Sequence, residues 1–256
     1  MQRLTRFVTR ARRHPSLPLD VARLPAPAAL AARIVWARRC SNEQASVDLA
    51  RRLVATAKAL PSPHAEAWAR AFARLEEDER AHVAITVEVL GALDAPVPPP
   101  QPIESRRTGE SLRELFARDV AVGLMLCEAV SASRFASVAA ATDLPDFRER
   151  IAIFLRDEVA HARLGAILLP EVLRLLAEDV GEEHARAYLR REIAAAALEL
   201  KRVVAHDVSE ADLPPRRPQP SQNPGVVEPA VDARAYYRAL SRSVAPALAG
   251  VGIALD

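Results

Sequence analysis

One five-residue pattern, Asp-Glu-x-Ala-His, occurs twice in this chain and constrains its fold more than any other feature. The copies span residues 78–82 and 157–161, within stretches whose apolar residues recur in steps of three and four. That period is typical of an α-helix with one buried face. The Glu and His of each copy then lie one turn apart on the same face. A carboxylate and an imidazole at that spacing can bind one metal ion, so the chain carries two candidate half-sites.

Two further acids, Glu43 and Glu128, interrupt the apolar stripes of two other predicted helices. The first helical hairpin is predicted to turn at residues 61–62, and across that turn Glu43 faces the middle of the first copy. The second hairpin is predicted to turn near residues 143–144, and across it Glu128 faces the middle of the second copy. Each lone Glu is therefore expected to lie level with a Glu-x-x-His pair on the antiparallel helix.

Six residues are thus predicted to share one level on the inner faces of a helical bundle: Glu43, Glu79, His82, Glu128, Glu158 and His161. Unpaired buried carboxylates cost several kcal/mol each, so a bundle keeps four of them only if their charge is compensated. Two divalent cations would balance the four carboxylates. The alternatives are that the stripes are rotated and the acids face solvent, or that a degenerate site has lost its metal.

This arrangement resembles the ferritin-like superfamily of di-iron carboxylate proteins over roughly residues 27–178, in the order Glu43, Glu79-x-x-His82, Glu128, Glu158-x-x-His161. The resemblance implies an all-α fold, a four-helix bundle with a long crossover between its second and third helices. It implies two iron ions as cofactors, with Mn/Fe or other divalent metals as alternatives. It also implies that Asp78 and Asp157 bind the imidazole of the opposite motif; otherwise both are surface acids. Ala81 and Ala160 replace an Arg that is frequent in such oxygenases, so no subfamily is identified.

The chain is predicted to have four parts: a basic N-terminal arm (1–26), a helical bundle with a fifth helix (27–206), a Pro-rich linker or wrap (207–230) and a C-terminal docking helix (231–256). The arm is either solvated or a short basic helix that packs on the bundle or touches an acidic partner. The last helix docks on the bundle or on the partner of a homodimer. Residues 94–107 are proline-rich and predicted to be extended, reaching about 43 Å. A helix of about 28 residues is about 42 Å long, so this segment can span the bundle. Ser62 is expected to cap the second helix, with Pro63 in its first position.

Composition limits the remaining classes. Half of the 256 residues are hydrophobic, 27% are charged, and the net charge is +2, so an acidic partner is not required. Alternating strand patterns are absent, and no run of 18 apolar residues predicts a membrane span. We expect a cytoplasmic protein that contacts neither membrane nor nucleic acid, since no basic patch contains interleaved aromatic residues. Cys40 and Cys127 form no Cys-x-x-Cys pair, which excludes a rubredoxin-type iron centre within this chain and argues against a standard rubrerythrin.

Three functions fit these features. The first is an oxidoreductase that uses dioxygen or peroxide and an external electron donor to oxidise a small organic substrate; an RNA-modifying hydroxylase is a special case of it. The second is iron handling or peroxide scavenging, and the third is a non-enzymatic bundle with a structural or vestigial metal site. The small residues Thr86, Ala121, Ser131 and Gly165 either leave room for oxygen and substrate or mark close contacts between helices.

Overall fold

All regular structure in the described part of the chain is helical. A computed structural model describes residues 14–100, 102–104, 106–215 and 222–254, which contain no β-strand. Eight α-helices occur in these residues: α1 (Ala26–Ala59), α2 (Ala65–Ala92), α3 (Leu112–Arg118), α4 (Glu128–Ala141), α5 (Pro145–Val180), α6 (Glu182–Ala205), α7 (Pro229–Ala239) and α8 (Ala245–Ala249). Two π-helices, Asp119–Cys127 and Leu240–Val244, and one 3₁₀ turn, Glu210–Asp212, complete the set. The all-α prediction is confirmed for these residues. None of the described helices is both long and apolar enough to cross a membrane.

The described residues form two compact units. The first is drawn from Met1–Ser105, Val138–Asp157 and Arg217–Val227, and the second from Arg106–Ser137, Glu158–Arg216 and Glu228–Asp256.

The first unit is built on the antiparallel hairpin of α1 and α2. Arg51 Nε donates to Glu76 Oε1 at 2.9 Å near one end of the hairpin, and Arg33 Nε donates to the Leu93 carbonyl at 2.7 Å near the other. The turn lies where the sequence predicts it, but Ser62 does not cap α2. Its Oγ accepts from the backbone N–H of His64, and its carbonyl accepts from Ala65, the first helical residue. Ser62 therefore closes a separate turn, which keeps the following proline outside the helix.

The connection that follows α2 runs back along α1. Gln44 Nε2 donates to the Pro98 carbonyl at 3.4 Å, and Arg52 donates to the Glu104 carbonyl. The described residues between Leu93 and Glu104 contain no helix. The donors lie progressively further along α1 as the connection advances, so the extended segment follows that helix.

Two irregular segments also pack on the first unit. In the N-terminal strap (residues 16–23), Ser16 and Leu17 donate their backbone N–H groups to Glu149, at 3.0 and 2.9 Å. In the C-terminal turn (residues 222–226), Gln222 and Asn223 likewise donate their backbone N–H groups to the carboxylate of Asp143. The strap belongs to the predicted basic arm; the arginines of that arm at positions 3–13 lie outside the described residues, as do residues 216–221 of the predicted Pro-rich linker.

The second unit contains a helical irregularity that the apolar period does not predict. The sequence predicts one continuous helix around Glu128. In the structure, only α3 and α4 are regular α-helix, and the nine residues between them form the first π-helix. A capping box of Ser111 and Glu114 starts α3. The first π-helix packs against α6 and against the second π-helix near the C-terminus. Such a widened turn is stabilised by its tertiary neighbours rather than by local propensity.

The predicted C-terminal helix begins at Pro229 and packs within the second unit. Arg134 forms a bidentate ion pair with Asp232, with N–O distances of 3.0 and 2.9 Å. The hydroxyl group of Tyr236 donates to the Ala197 carbonyl on α6 at 2.8 Å. These contacts fix the helix on its own chain.

Gly165 marks a close backbone contact in the second unit. A Cβ added there would lie 2.6 Å from Met125 N and 2.7 Å from Leu124 C, both backbone atoms of the first π-helix. For Gly165, close helix contact is therefore the structural role. We expect Gly165→Ala to lower the free energy of unfolding by about 1–3 kcal/mol, because backbone atoms have to shift. Gly91→Ala is the matched control, since its Cβ would meet no atom within 4 Å. Urea denaturation of both variants tests this, and equal stabilities would contradict it.

Candidate metal centre

Helical periodicity brings three of the predicted residues together in the first unit. Glu79 and His82 lie one turn apart on the inner face of α2, and Glu43 lies on the inner face of α1. All three are buried, with His82 fully inaccessible and Glu79 only 1% exposed. A rotated stripe would have exposed these side chains. The alternative in which they face solvent is therefore wrong.

The imidazole of His82 is oriented by carboxylates on both of its nitrogens. Nδ1 lies 3.2 Å from Glu43 Oε2 and 3.3 Å from Glu79 Oε2. Nε2 lies 3.4 Å from Asp157 Oδ2. When Nε2 carries the proton and donates it to Asp157, the lone pair on Nδ1 points toward the two glutamates. That tautomer presents one nitrogen and two carboxylates to a common point, which is how an outer carboxylate prepares a histidine for a metal.

Asp157 and Asp78 have different surroundings. Asp157 accepts hydrogen bonds from Arg156 Nε and NH2, both at 2.7 Å, in addition to its contact with His82. This links a carboxylate of the second motif to the imidazole of the first, the kind of contact that the resemblance implies. Asp78 forms an ion pair with Arg74 one turn earlier on α2, at 2.8 Å.

The other three predicted residues are also buried. Glu128 opens α4 directly after the first π-helix, and Glu158 and His161 lie one turn apart on α5. Their exposed fractions are 5%, 2% and 4%. One ligand atom from each residue lies within 4.8 Å of the others in each of two groups: Glu43, Glu79, His82 and Glu158; and Glu79, Glu128 and His161. Either group could hold a metal ion, and Glu79 belongs to both.

Burial strongly perturbs the ionisation of the cluster. Burial raises the pKa of Glu43 to about 8, against the opposing effect of His82. Burial alone would lower the pKa of His82, but its hydrogen bonds to Asp157, Glu43 and Glu79 outweigh this and raise it well above the ordinary value. For Asp157, burial raises the pKa, yet the hydrogen bonds from His82 and Arg156 dominate and lower it. Without metal, Glu43 and His82 therefore tend to hold protons. A bound cation would instead stabilise the charged form of the carboxylates.

The donor set fits a divalent transition metal. The six residues offer carboxylate oxygens and imidazole nitrogens, which suit iron, manganese and zinc better than calcium or magnesium. The cysteines are not needed in this set: Cys40 is buried, and burial beside Glu128 raises the pKa of Cys127 to about 12, which keeps its thiol protonated. Buried carboxylates this close together repel one another unless protons or cations neutralise their charge.

Metal binding is expected to release protons. A cation competes with the protons on Glu43 and His82, so its affinity should rise with pH toward about 8, the raised pKa of Glu43. In the metal-free protein, the dependence on pH has the opposite sign. The contribution of Glu43 to the free energy of unfolding is largest below the ordinary glutamate pKa, about 4.3. It is lost as pH rises through the raised pKa that Glu43 has in the folded state. Calorimetric titration with Mn(II) in two buffers of different protonation enthalpy measures the release. Glu43→Gln should release fewer protons; an affinity that does not change from about pH 6 to pH 8 would contradict the expectation.

Two aromatic residues that the sequence marks only as core also support the cluster. The ring of Phe154 stacks on His82 with centroids 4.4 Å apart, and Trp36 contacts Phe154 edge-on at 6.3 Å. Phe154 precedes Glu158 by one turn on the same stripe, which is the only sequence signal of its role. Arg156 gives a weaker signal, a basic residue directly before the aspartate of the motif.

Comparison of the chain with protein-family models, with curated proteins and with solved structures found no match. The function of the site therefore has to be inferred from the residues themselves.

Proposed function

We propose that this protein is a non-haem di-iron oxidoreductase that activates dioxygen or peroxide at a carboxylate-bridged dinuclear site and oxidises a small organic substrate. The observation that carries the proposal is the pair of ligand groups that share Glu79. A carboxylate has two oxygens, so one shared Glu can bridge two ions. Together the groups contain two histidines and four glutamates, the ligand set of carboxylate-bridged sites in helical bundles.

The proposal includes a ferritin-like bundle with the long crossover. Its support is the extended connection after α2, which follows α1 from the level of Arg33 to that of Arg52. Those positions are 19 residues apart, which corresponds to about 28 Å of helix. A connection that returns over this length allows the next helix to start at the opposite end from the one where α2 finishes.

Each residue of the cluster has a defined task in this proposal. The two Glu-x-x-His pairs, with Glu43 and Glu128, would hold the ions, and Glu79 would belong to the ligand sets of both. Asp157 holds the proton on Nε2 of His82, so Nδ1 stays available as a donor. When bound, a pair of iron ions supplies two electrons for the reduction of dioxygen or peroxide. The buried surroundings of the cluster exclude bulk water from this chemistry.

The experiment combines metal content with oxygen consumption. The purified chain is loaded with Fe(II) without oxygen, freed of unbound metal, and then mixed with dissolved oxygen. We expect about two iron ions per chain and rapid oxygen uptake, as for a dinuclear carboxylate site. Repeating the loading with Mn(II) and Fe(II) together tests the mixed-metal alternative.

Other outcomes distinguish the remaining functions. Continued Fe(II) oxidation beyond the bound ions, with a defined cage in solution, would indicate iron handling instead. No specific metal and no oxygen uptake would indicate a non-enzymatic helical bundle. The C-terminal turn and α7 favour the oxidoreductase, because such additions can shape a substrate site, whereas a cage subunit is usually compact.

A further inference from the structure

The C-terminal turn is held tightly to the first unit although it lies in the Pro-rich part of the sequence. Both carboxylate oxygens of Asp143 accept from it, from the N–H groups of Gln222 and Asn223 at 2.8 and 2.7 Å. The Asn223 side chain closes the turn internally. Its Oδ1 accepts from the N–H groups of Gly225 and Val226, and its Nδ2 donates to the Val226 carbonyl at 2.7 Å.

The C-terminal turn also contacts the buried indole of Trp36. The Pro224 carbonyl accepts from Trp36 Nε1 at 3.0 Å, and the Gly225 carbonyl accepts from Arg39. The guanidinium of Arg39 lies 4.6 Å above the Trp36 ring. Gly225 has φ +88°, and a Cβ there would lie 3.2 Å from Arg39 NH1, so no other residue fits easily. The turn therefore fixes both the plane and the in-plane direction of the indole.

The fixed indole leads directly to the candidate metal centre. Trp36 contacts the ring of Phe154 with an interplanar angle of 70°, and Phe154 stacks on the imidazole of His82 with an angle of 28°. All three rings are completely buried. Close-packed rings in a core rotate only if their neighbours move, so the position of Trp36 limits the orientations open to His82.

We propose that the C-terminal turn is a positioning element for the metal-binding imidazole, with Trp36 as the positioning residue that acts through Phe154 on His82. The inference rests on the proposed metal site, and it names the segment of the chain that orients one of the ligands of that site. Histidine ligands depend on the groups that orient their rings, and loss of such groups typically reduces metal affinity by about 10–100-fold. An effect transmitted through two rings should be near the lower end, about tenfold.

A matched pair of variants tests the proposal. Asp143→Ala removes the carboxylate that accepts two N–H groups of the C-terminal turn. Glu149→Ala does the same to the N-terminal strap, which no described contact links to His82. Both variants remove a carboxylate that accepts two backbone N–H groups from an irregular segment of the same unit. Trp36→Phe is a third variant that keeps an aromatic ring but removes the N–H donated to Pro224.

The first measurement uses the metal-free full chain. The ring resonances of His82, assigned by comparison with His82→Gln, are recorded by NMR with ¹⁵N-labelled histidine. We expect shifted or broadened ring signals in Asp143→Ala and Trp36→Phe, and wild-type signals in Glu149→Ala. Wild-type His82 signals in Asp143→Ala, with the turn shown to be released by hydrogen exchange at residues 222–226, would overturn the proposal.

The second measurement is the affinity for Co(II), determined by competition with a chelator. Asp143→Ala should bind about tenfold more weakly than the wild type, and Glu149→Ala equally tightly. Equal affinities for Asp143→Ala and the wild type would also overturn the proposal. If the wild type itself binds no metal, the proposed function fails, whereas the NMR comparison still decides whether the turn orients His82.

Discussion

Glu79→Ala is expected to remove most bound metal. A ligand atom of Glu79 belongs to both groups, so this substitution takes a carboxylate from each. We expect iron bound after anaerobic loading to fall from about two ions per chain to well below one. Glu158→Ala affects only the first group and should lose at least one ion. Atomic absorption of gel-filtered protein measures both. Glu66→Ala, an exposed acid on the same helix, is the control and should keep wild-type metal.

Thermal stability adds a second readout for the same variants. A ligand that binds only the folded state raises the midpoint of unfolding by mass action. Added Mn(II) should therefore raise the midpoint of the wild type and of Glu66→Ala, and leave that of Glu79→Ala unchanged. Glu79→Ala with wild-type metal content and the full metal-dependent shift would show that the ligand assignment is wrong.

Arg118→Ala is expected to destabilise the protein by about 3–5 kcal/mol, because it leaves a buried acid without its main partner. Arg118 Nε and NH2 donate to the two oxygens of Glu110 at 2.8 and 3.0 Å, and both side chains are buried. The hydroxyl group of Tyr188 donates to the same carboxylate at 3.2 Å. Arg174→Ala is the matched control. It removes an exposed pairing with Glu171 and should cost about 0–1 kcal/mol in chemical denaturation.

The pH dependence identifies the cause of that loss. Burial would raise the pKa of Glu110, but other interactions outweigh burial and lower this pKa to about 2. The largest of them is the hydrogen bond from Arg118. This carboxylate therefore contributes stability above the ordinary glutamate pKa, about 4.3, and the contribution disappears as pH falls toward the folded value. The stability gap between wild type and Arg118→Ala should shrink over that range. A gap that is constant with pH would assign the loss to packing instead of charge.

Much of the fold can be predicted from the sequence because the signals are local. The apolar period of three and four residues fixes which face of α2 is buried, and with it the burial of Glu79 and His82. The antiparallel turn near Ser62 then places Glu43 opposite that pair, since register in a short hairpin follows from counting residues. The capping of α2 could not be predicted in this way, because Ser62 forms a separate turn and no side chain caps the helix.

The first π-helix and the attachment of the C-terminal turn to Asp143 could not be predicted in this way. The first π-helix exists beside the backbone contact at Gly165, and that contact depends on how distant segments pack. The hydrogen bonds between Asp143 and the C-terminal turn join positions about 80 residues apart. Nothing in the local pattern of either segment indicates the other.

The sequence alone therefore determined the helices, their buried faces and the level at which acids and histidines interrupt them, because these follow from a repeat of fixed rise. The resemblance implies that Asp157 lies beside the opposite imidazole, but only the tertiary structure decided that Phe154 and Trp36 also orient the imidazole of His82. Phe154 and Asp157 contact that ring, Trp36 acts on it through Phe154, and each of these contacts depends on the closing of long loops. Side-chain partners of high sequence separation are selected by packing and burial, which no single stretch of the chain encodes.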